Sequence, residues 1–212
     1  MSVTANQSVP PILASQERDA MLDVALDISS RLAEGAVWHG TRCSWDVLSN
    51  ALQSKSASQQ QLELAGGSIY AGTCGIALFL AEAAIRGAPK HVVDAAIGAI
   101  VHALDKAERG EFPGTIGFFD WISGLAYASA RVGALLGVPK LLSASRALLK
   151  IGEGPDYMKD IISGAAGAIP ALLLLDRQYN SGTVDRALSL GKELVRGARR
   201  EIQGWSWDTP VM

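Results

Sequence analysis

The stretch Asp160-Ile161-Ile162-Ser163-Gly164-Ala165-Ala166-Gly167 decides the fold, because a glycine-rich turn in it opens directly into a run of apolar residues. An earlier stretch, Asp120-Trp121-Ile122-Ser123-Gly124, shares its pattern Asp-x-Ile-Ser-Gly, and the two aspartates are 40 positions apart. A third stretch of the same kind contains Gly72-Thr73-Cys74-Gly75. Segments that recur along a chain are typical of repeat architectures, so three structural repeats are predicted.

Each glycine-rich stretch leads into a segment that is apolar almost all round. Residues 76–84 carry one charge, residues 125–136 carry one, and residues 165–175 carry none. Helices of this composition have to be buried on most sides. The segment after each is predicted to be a helix with a single apolar stripe. The stripe residues are Val92, Val93, Ala96, Ile97, Ile100, Val101 and Leu104, then Leu141, Leu142, Leu148 and Leu149, then Val184, Ala187, Leu188, Gly191, Leu194, Val195, Ala198 and Ile202.

The alternation of a buried inner helix and a one-striped outer helix predicts stacked helical hairpins, arranged as a solenoid or a closed α/α toroid. No sustained period-two pattern competes, so the fold class is all-α. A first helix is expected over residues 17–33 and a flexible segment over residues 1–15. Between the first helix and the first repeat we expect three segments. They are a loop with Trp38, His39, Gly40 and Trp45, a short helix over 47–53 and a linker over 53–61.

Composition narrows the classes of protein. The net charge of -2, with 19% charged residues, argues against a basic nucleic-acid surface. Two cysteines do not make a disulfide framework, so a reduced, cytoplasmic setting is expected. The N-terminus lacks a signal-peptide pattern, and the apolar runs are too short for a membrane span. Neither a signal peptide nor a membrane-spanning helix is therefore expected.

At the three glycine-rich stretches the sequence resembles the lanthionine synthetase C-like family, in which a Gly-x-x-Gly element begins each inner helix. Residues 72–75 and 164–167 match this element, whereas Gly124-Leu125-Ala126-Tyr127 keeps the first glycine alone. The family has six or seven helical hairpins and this chain has three. The resemblance therefore implies a partial α/α toroid (double α-barrel), with residues 16–212 forming the N-terminal half of the domain.

Members of that family form thioether rings by adding a cysteine thiol of a precursor peptide to a dehydroamino acid. Zinc, held by two cysteines and a histidine, lowers the thiol pKa in that reaction. This sequence has no counterpart of those ligands, so no metal ligand and no cofactor are expected in this chain. The resemblance implies the N-terminal part of such a zinc-dependent peptide cyclase, inactive alone. The alternative is a non-catalytic peptide- or protein-binding toroid module, so whether the chain is an enzyme stays open.

The resemblance implies Asp160 as the catalytic candidate, because it occupies the acidic position ahead of the third Gly-x-x-Gly element. Its alternative role is to bind loop amides or cap a helix, the role expected for Asp120. Trp121, immediately before an inner helix, is the substrate-binding candidate, with core packing as its alternative. A precursor peptide is the expected partner in the full-length protein, and self-association through an exposed toroid edge is expected.

The remaining chemistry-bearing residues are expected to be structural. Cys74 is interpreted as a small buried residue and Cys43 as a loop cysteine. His91 and His102 are placed on the polar side of an outer helix, where they would be solvated. An enzyme with paired carboxylates, such as a carbohydrate-active toroid, would draw on Glu82, Asp120 and Asp160, but no adjacent acid pair supports it.

Overall fold

A computed structural model describes residues 15–48, 62–111, 116–120, 122–151 and 158–208. Within these residues the chain forms seven helices and six strands of three residues each. The helices are α1 (Ser15–Glu34), α2 (Thr73–Ala84), α3 (Lys90–Glu108), α4 (Ile122–Leu135), α5 (Pro139–Ile151), α6 (Ala165–Tyr179) and α7 (Val184–Gly197). The strands are β1 (Val37–His39), β2 (Arg42–Ser44), β3 (Asp46–Leu48), β4 (Leu62–Leu64), β5 (Arg199–Glu201) and β6 (Gly204–Ser206).

The helices form a row of pairs. α2 packs with α3, α4 with α5, and α6 with α7, while the inner helices touch in the order α2, α4, α6. Helix α1 packs against α2 and α3 at one end of the row. This arrangement confirms the predicted all-α, toroid-like alternation of inner and outer helices. None of the described helices is long and apolar enough to cross a membrane.

Position in the row decides how much of each helix is buried. Helix α4 has neighbours on several sides and buries ten residues, among them Ser123, Gly124, Ser129 and Gly133, whose small side chains allow close approach. Its partner α5 buries one stripe, Leu141, Leu148 and Leu149. At the end of the row α6 leaves Leu173 and Leu174 exposed at 46% and 38%, although its sequence is as apolar as that of α4.

Helix α3 follows its predicted stripe with one correction. Val92, Ala96 and Ile100 are buried, and His91 is exposed as expected. His102, however, is 7% exposed, so the prediction of a solvated histidine was wrong. It lies two helical turns after Ala95, on the face that packs against the chain near Ala65, whose backbone it bonds.

Three antiparallel hairpins, β1–β2, β3–β4 and β5–β6, supplement the helices. The expected loop around Trp38 and Trp45 contains the first of them. The helix predicted over 47–53 is wrong where the structure describes it, because Asp46–Leu48 pairs with Leu62–Leu64. Ile202 does not extend the α7 stripe, because α7 ends at Gly197 and Ile202 lies in the exposed β5–β6 turn. Residues 1–14, the linker over 53–61 and Trp121 lie outside the described residues.

Candidate functional site

Three loops lie directly before the inner helices, and they sit side by side. We call them loop 1 (residues 65–72), loop 2 (116–120) and loop 3 (158–164). The Tyr70 N–H donates to the Phe119 carbonyl at 3.0 Å, and the Phe119 N–H donates to the Ile162 carbonyl at 3.0 Å. These two main-chain hydrogen bonds, the loop ladder, join the entrances of α2, α4 and α6 in one continuous surface.

A glycine is the third residue of every inner helix, and the loops explain why. A Cβ on Gly75 would lie 2.3 Å from the Ile69 carbonyl oxygen, one on Gly124 would lie 1.8 Å from that of Phe118, and one on Gly167 would lie 1.9 Å from that of Ile161. In each case the loop carbonyl six residues earlier folds back onto the helix. Only glycine leaves room for this contact.

This geometry corrects the alignment of the second repeat. Gly124 corresponds to Gly75 and Gly167, not to Gly72 and Gly164 as the Asp-x-Ile-Ser-Gly pattern suggested. Gly72 and Gly164 instead precede their helices and press against the backbone at residues 66 and 158. In the second repeat the residue before the helix is Trp121, which lies outside the described residues.

The corrected alignment separates the two aspartates. Asp160 corresponds to Ser68 in loop 1, and each side chain accepts hydrogen bonds from backbone N–H groups of its own loop. The Asp160 carboxylate accepts the N–H groups of Ile162 at 2.7 Å and Ser163 at 2.8 Å, while the Ser68 hydroxyl accepts the N–H of Ala71 at 3.1 Å. Asp160 therefore bonds loop amides, as its alternative role required, and its catalytic role stays a prediction.

Asp120 has a different position, which the motif concealed. Its carboxylate is half-buried and accepts a hydrogen bond from the Ser163 hydroxyl at 3.2 Å, so it links loop 2 to loop 3. The loops are close there, because a Cβ on Gly117 would lie 2.4 Å from the Ser163 carbonyl group. Aligning the repeats on the third helical residue, rather than on the longest shared motif, is the signal that could have separated these acids.

The surface of the three loops carries a row of apolar side chains. Tyr70 and Ile162, at equivalent positions of the loop ladder, are 72% and 43% exposed, and Phe119 is half-buried between them. Phe118 behind them packs edge-on against Tyr127, with ring centroids 5.6 Å apart. A cavity of about 630 Å³ adjoins loop 1, and its lining includes Ile69, Tyr70, Ile76 and Phe79. An extended apolar ligand would find both a row of side chains and a recess here.

The cysteines of this chain do not suit a catalytic metal. Cys74 is fully buried, which raises its pKa, and Cys43 is buried with its Sγ donating to the Ala95 carbonyl at 3.3 Å. Desolvation raises the Cys43 pKa to about 12. A cysteine that binds zinc does so as the thiolate, and burial opposes that form in both cysteines. Within the described residues no group of three or more His, Cys, Asp or Glu side chains is placed to hold a metal ion.

Glu82 of α2 and Arg131 of α4 pair with each other away from the loops. Glu82, in the last turn of α2, accepts a hydrogen bond from Arg131 of α4 at 3.1 Å and one from Arg86 at 2.7 Å. Hydrogen bonds from Arg86 and then Arg131 lower the pKa of Glu82. Because Glu82 lies beyond the second turn of its helix, it does not join Asp120 or Asp160 as a catalytic pair.

A family model described as "Lanthionine synthetase C-like protein" matches residues 63–210. The match covers most of the chain, from β4 through the three loops and the three helical pairs to just past β6. Helix α1 and the β1–β2 hairpin lie before it. No curated protein matches the chain.

Proposed function

The chain belongs to the lanthionine synthetase C-like family, and from that premise we propose that it supplies the peptide-binding wall of a thioether-forming cyclase toroid. In this proposal residues 16–212 make up the N-terminal half of the toroid. The bound molecule is a dehydrated precursor peptide that contains cysteine. The chain works in peptide modification of the lantibiotic kind, in the cytoplasm, a setting that its two unpaired cysteines favour.

The loop ladder is the observation that carries this proposal. It fixes three loops in one register and presents Tyr70, Phe119 and Ile162 as a row on one surface. A row of apolar side chains next to a recess is suited to holding a peptide in a defined orientation. Asp120, between two of these loops, offers a carboxylate beside that row.

The chemistry of ring closure is not assigned to the residues described. Zinc in this family activates the peptide thiol, but the described cysteines and acids do not fit a zinc site. We therefore assign binding and orientation of the peptide to the described residues, while the catalytic role of Asp160 stays a prediction. Binding without chemistry is also what the alternative function, a non-catalytic peptide-binding module, would require.

Peptide binding and thiol chemistry can be measured together on the whole chain. A fluorescent peptide with one cysteine and one dehydroalanine should show saturable anisotropy, while its free thiol stays constant and metal analysis finds no stoichiometric zinc. Thiol loss together with bound zinc would show a complete cyclase. No binding would reject the proposal. Equal affinity for the undehydrated peptide would favour the general binding module.

Substitutions on the loops should locate the peptide. Tyr70→Ala and Ile162→Ala each remove an exposed side chain from the row, so we expect about tenfold weaker binding for each, or about 1.4 kcal/mol. Ile85→Ala is the matched control, because Ile85 is 49% exposed at the far end of α2. Weakening by the control variant equal to that at Tyr70 would place the peptide elsewhere.

The two site predictions made from sequence need separate variants. If Asp160 contacts the peptide, Asp160→Asn should weaken binding without changing stability, since an asparagine oxygen can still accept the two loop amides. If its role is confined to the loop, binding should be unchanged. Trp121→Ala tests the predicted substrate contact in the same assay, and unchanged affinity would remove that assignment.

A further inference from the structure

A cavity of about 430 Å³ lies between helix α3 and the β1–β2 hairpin, and we call it the hairpin cavity. None of the described residues that line it also lines the recess beside loop 1. It is therefore a second concave site, apart from the surface of the three loops. Its lining includes an aromatic ring, polar side chains and two glycines, namely Trp38, Gly40 and Thr41 of the hairpin and His91, Asp94 and Gly98 of α3.

The indole of Trp38 is held at this cavity and is still accessible. Its ring approaches α3 at Gly98, where an added Cβ would lie 2.9 Å from the ring atom Cζ3. Trp38 as a whole is nevertheless 43% exposed. A ring that is fixed along one edge and open elsewhere can take a cation over its face, because the face of an indole carries negative charge density.

The last hairpin of the chain shows a tryptophan used in this way. In the β5–β6 hairpin Trp205 pairs across the strands with Arg200, whose guanidinium lies 4.8 Å from the centre of the indole ring. In the β1–β2 hairpin Trp38 pairs across the strands with Cys43, which is buried and has no charge to offer. The last hairpin thus supplies its own guanidinium, whereas the strand partner of Trp38 leaves that ring open to one from another molecule.

The polar side chains of the hairpin cavity are able to accept hydrogen bonds. The Asp94 carboxylate only accepts, and the Thr41 hydroxyl and the His91 imidazole can each accept as well. A guanidinium has five N–H donors and no acceptor, and its plane can stack on an indole while its edge bonds a carboxylate. These acceptors and the Trp38 ring therefore match a guanidinium better than an anion or a neutral amide.

Lys90 is the competitor for the Asp94 carboxylate. Its ammonium lies 2.8 Å and 2.6 Å from the two carboxylate oxygens, one helical turn away. The Lys90 side chain is 84% exposed and that of Asp94 is 47% exposed, and ion pairs of this kind are weak because water solvates both groups. A guanidinium that also stacks on Trp38 can therefore displace the ammonium from Asp94.

We propose that the hairpin cavity binds a guanidinium group, which stacks on the Trp38 ring and bonds the Asp94 carboxylate. The site does not rest on the proposed peptide binding by the three loops. NMR titration of the labelled whole chain with N-acetylarginine amide tests it. The amide signals of Gly40, Thr41 and Gly98 should shift saturably, with a dissociation constant of about 1 mM. Signals that do not saturate would overturn the proposal, and so would equal affinity for the uncharged N-acetylcitrulline amide.

Three variants locate the bound group by moving its affinity in opposite directions. Asp94→Asn should weaken binding about tenfold, because it removes the charge of the acceptor. Trp38→Leu should weaken binding about threefold, because it removes the aromatic face. Lys90→Ala should instead tighten binding about twofold, because it frees the Asp94 carboxylate. Weaker binding by Lys90→Ala, or unchanged binding by Asp94→Asn, would overturn the assignment to Asp94.

Asp27→Asn is the matched control. Asp27 is 67% exposed on α1 and pairs with Arg31 four residues later, and it does not line the hairpin cavity. It should bind N-acetylarginine amide like wild type, and a loss equal to that of Asp94→Asn would overturn the site in favour of a general effect of charge. Circular dichroism of Asp94→Asn, Lys90→Ala and Asp27→Asn should match wild type, because the replaced side chains are largely exposed.

A second probe distinguishes the sources of the guanidinium. A capped five-residue peptide with one central arginine should compete with N-acetylarginine amide for the same amide signals. Tighter binding of the peptide would assign the site to an arginine side chain of a peptide, and equal affinity would assign it to a free guanidino compound. Either result supports the hairpin cavity, whereas a peptide that does not compete would contradict it.

Discussion

The first and last hairpins of the chain have the same local structure and different surroundings. Ser44-Trp45-Asp46 ends the β1–β2 hairpin, and Ser206-Trp207-Asp208 ends the β5–β6 hairpin. The indole N–H of Trp45 donates to the Leu32 carbonyl at 2.8 Å, and that of Trp207 donates to the Leu194 carbonyl at 2.8 Å, each 13 residues back. Yet Trp45 is 7% exposed and Trp207 is 41% exposed.

The difference comes from helix α3, which covers the first hairpin. Cys43 bonds the Ala95 carbonyl, Arg42 pairs with Asp105, and Gly98 lets the Trp38 ring approach the helix. In the last hairpin Trp205 is 53% exposed, and the described contact on its ring is the Arg200 guanidinium, 4.8 Å from the ring centroid. Local sequence is therefore enough to form the hairpin and its tryptophan bond, whereas burial depends on a neighbouring helix.

Removing each tryptophan gives the largest expected effect. Trp45→Ala should lower the free energy of unfolding by about 3–5 kcal/mol, because it leaves a cavity in the core. Trp207→Ala should lower it by about 1 kcal/mol, close to the value of one hydrogen bond, because the ring is already half solvated. Urea denaturation of both variants measures this difference. Equal losses would show that the burial of Trp45 adds nothing to stability.

A methyl group added to each flanking outer helix should act with opposite sign. A Cβ on Gly98 would lie 2.9 Å from the Trp38 ring and 3.0 Å from Cys43 Sγ, so Gly98→Ala should destabilise by about 1–3 kcal/mol. On α7 a Cβ at Gly191 meets only the tip of Ile169, at 4.0 Å, so Gly191→Ala should stabilise by about 0.5–1 kcal/mol. Thermal melts show the sign directly, and a stabilising Gly98→Ala would contradict the close contact.

The covered region should also be sensitive to acid. Desolvation by burial, followed by the nearby charges of Lys106 and Arg42, lowers the pKa of His102 below 6.5. The hydrogen bond to the Ala65 backbone and the charge of Asp105 raise the pKa, but they do not cancel this shift. The unfolded chain therefore binds the proton more readily than the folded chain. The free energy of unfolding should be at its full value above pH 6.5 and should fall as the pH drops towards the folded-state pKa of His102. His102→Gln should flatten this part of the stability profile. An unchanged profile would mean that another group titrates.

Ion pairs should give the smallest difference between the two hairpins. Arg42 is 38% exposed beside Asp105 at 28%, and Arg199 and Asp208 are both 65% exposed. Arg42→Ala should lower the free energy of unfolding by about 1 kcal/mol, and Arg199→Ala by less than about 0.5 kcal/mol. High salt in the same denaturation experiment should reduce the effect of Arg42→Ala. A larger loss for Arg199→Ala than for Arg42→Ala would contradict the greater burial of the Arg42–Asp105 pair.

The helices of this chain could be predicted from sequence because their burial is periodic. The three apolar runs, which end at residues 84, 136 and 175, and the single stripe after each gave both the number of pairs and their order. The hairpins escaped prediction because strands of three residues are too short to show alternation. His102 was misplaced because a loop, which the helical pattern of α3 does not reveal, covers that face of the helix.

The candidate site was only partly predictable. Its place at the glycine-rich stretches followed from the repeats, but its register did not. The shared Asp-x-Ile-Ser-Gly motif aligns Asp120 with Asp160, whereas in the fold the position equivalent to Asp160 is Ser68. The loop ladder consists of main-chain hydrogen bonds at Tyr70, Phe119 and Ile162, and such bonds leave no requirement on side-chain identity.

The central claim is that the three inner helices enter side by side, with their loops bonded in one register. Amide hydrogen exchange of the labelled chain, followed by NMR at Phe119, tests it most directly, because that N–H is the donor to the Ile162 carbonyl. The account predicts exchange much slower than in an unstructured peptide of the same sequence. Exchange at the unstructured rate, in a chain whose α4 amides remain protected, would contradict it.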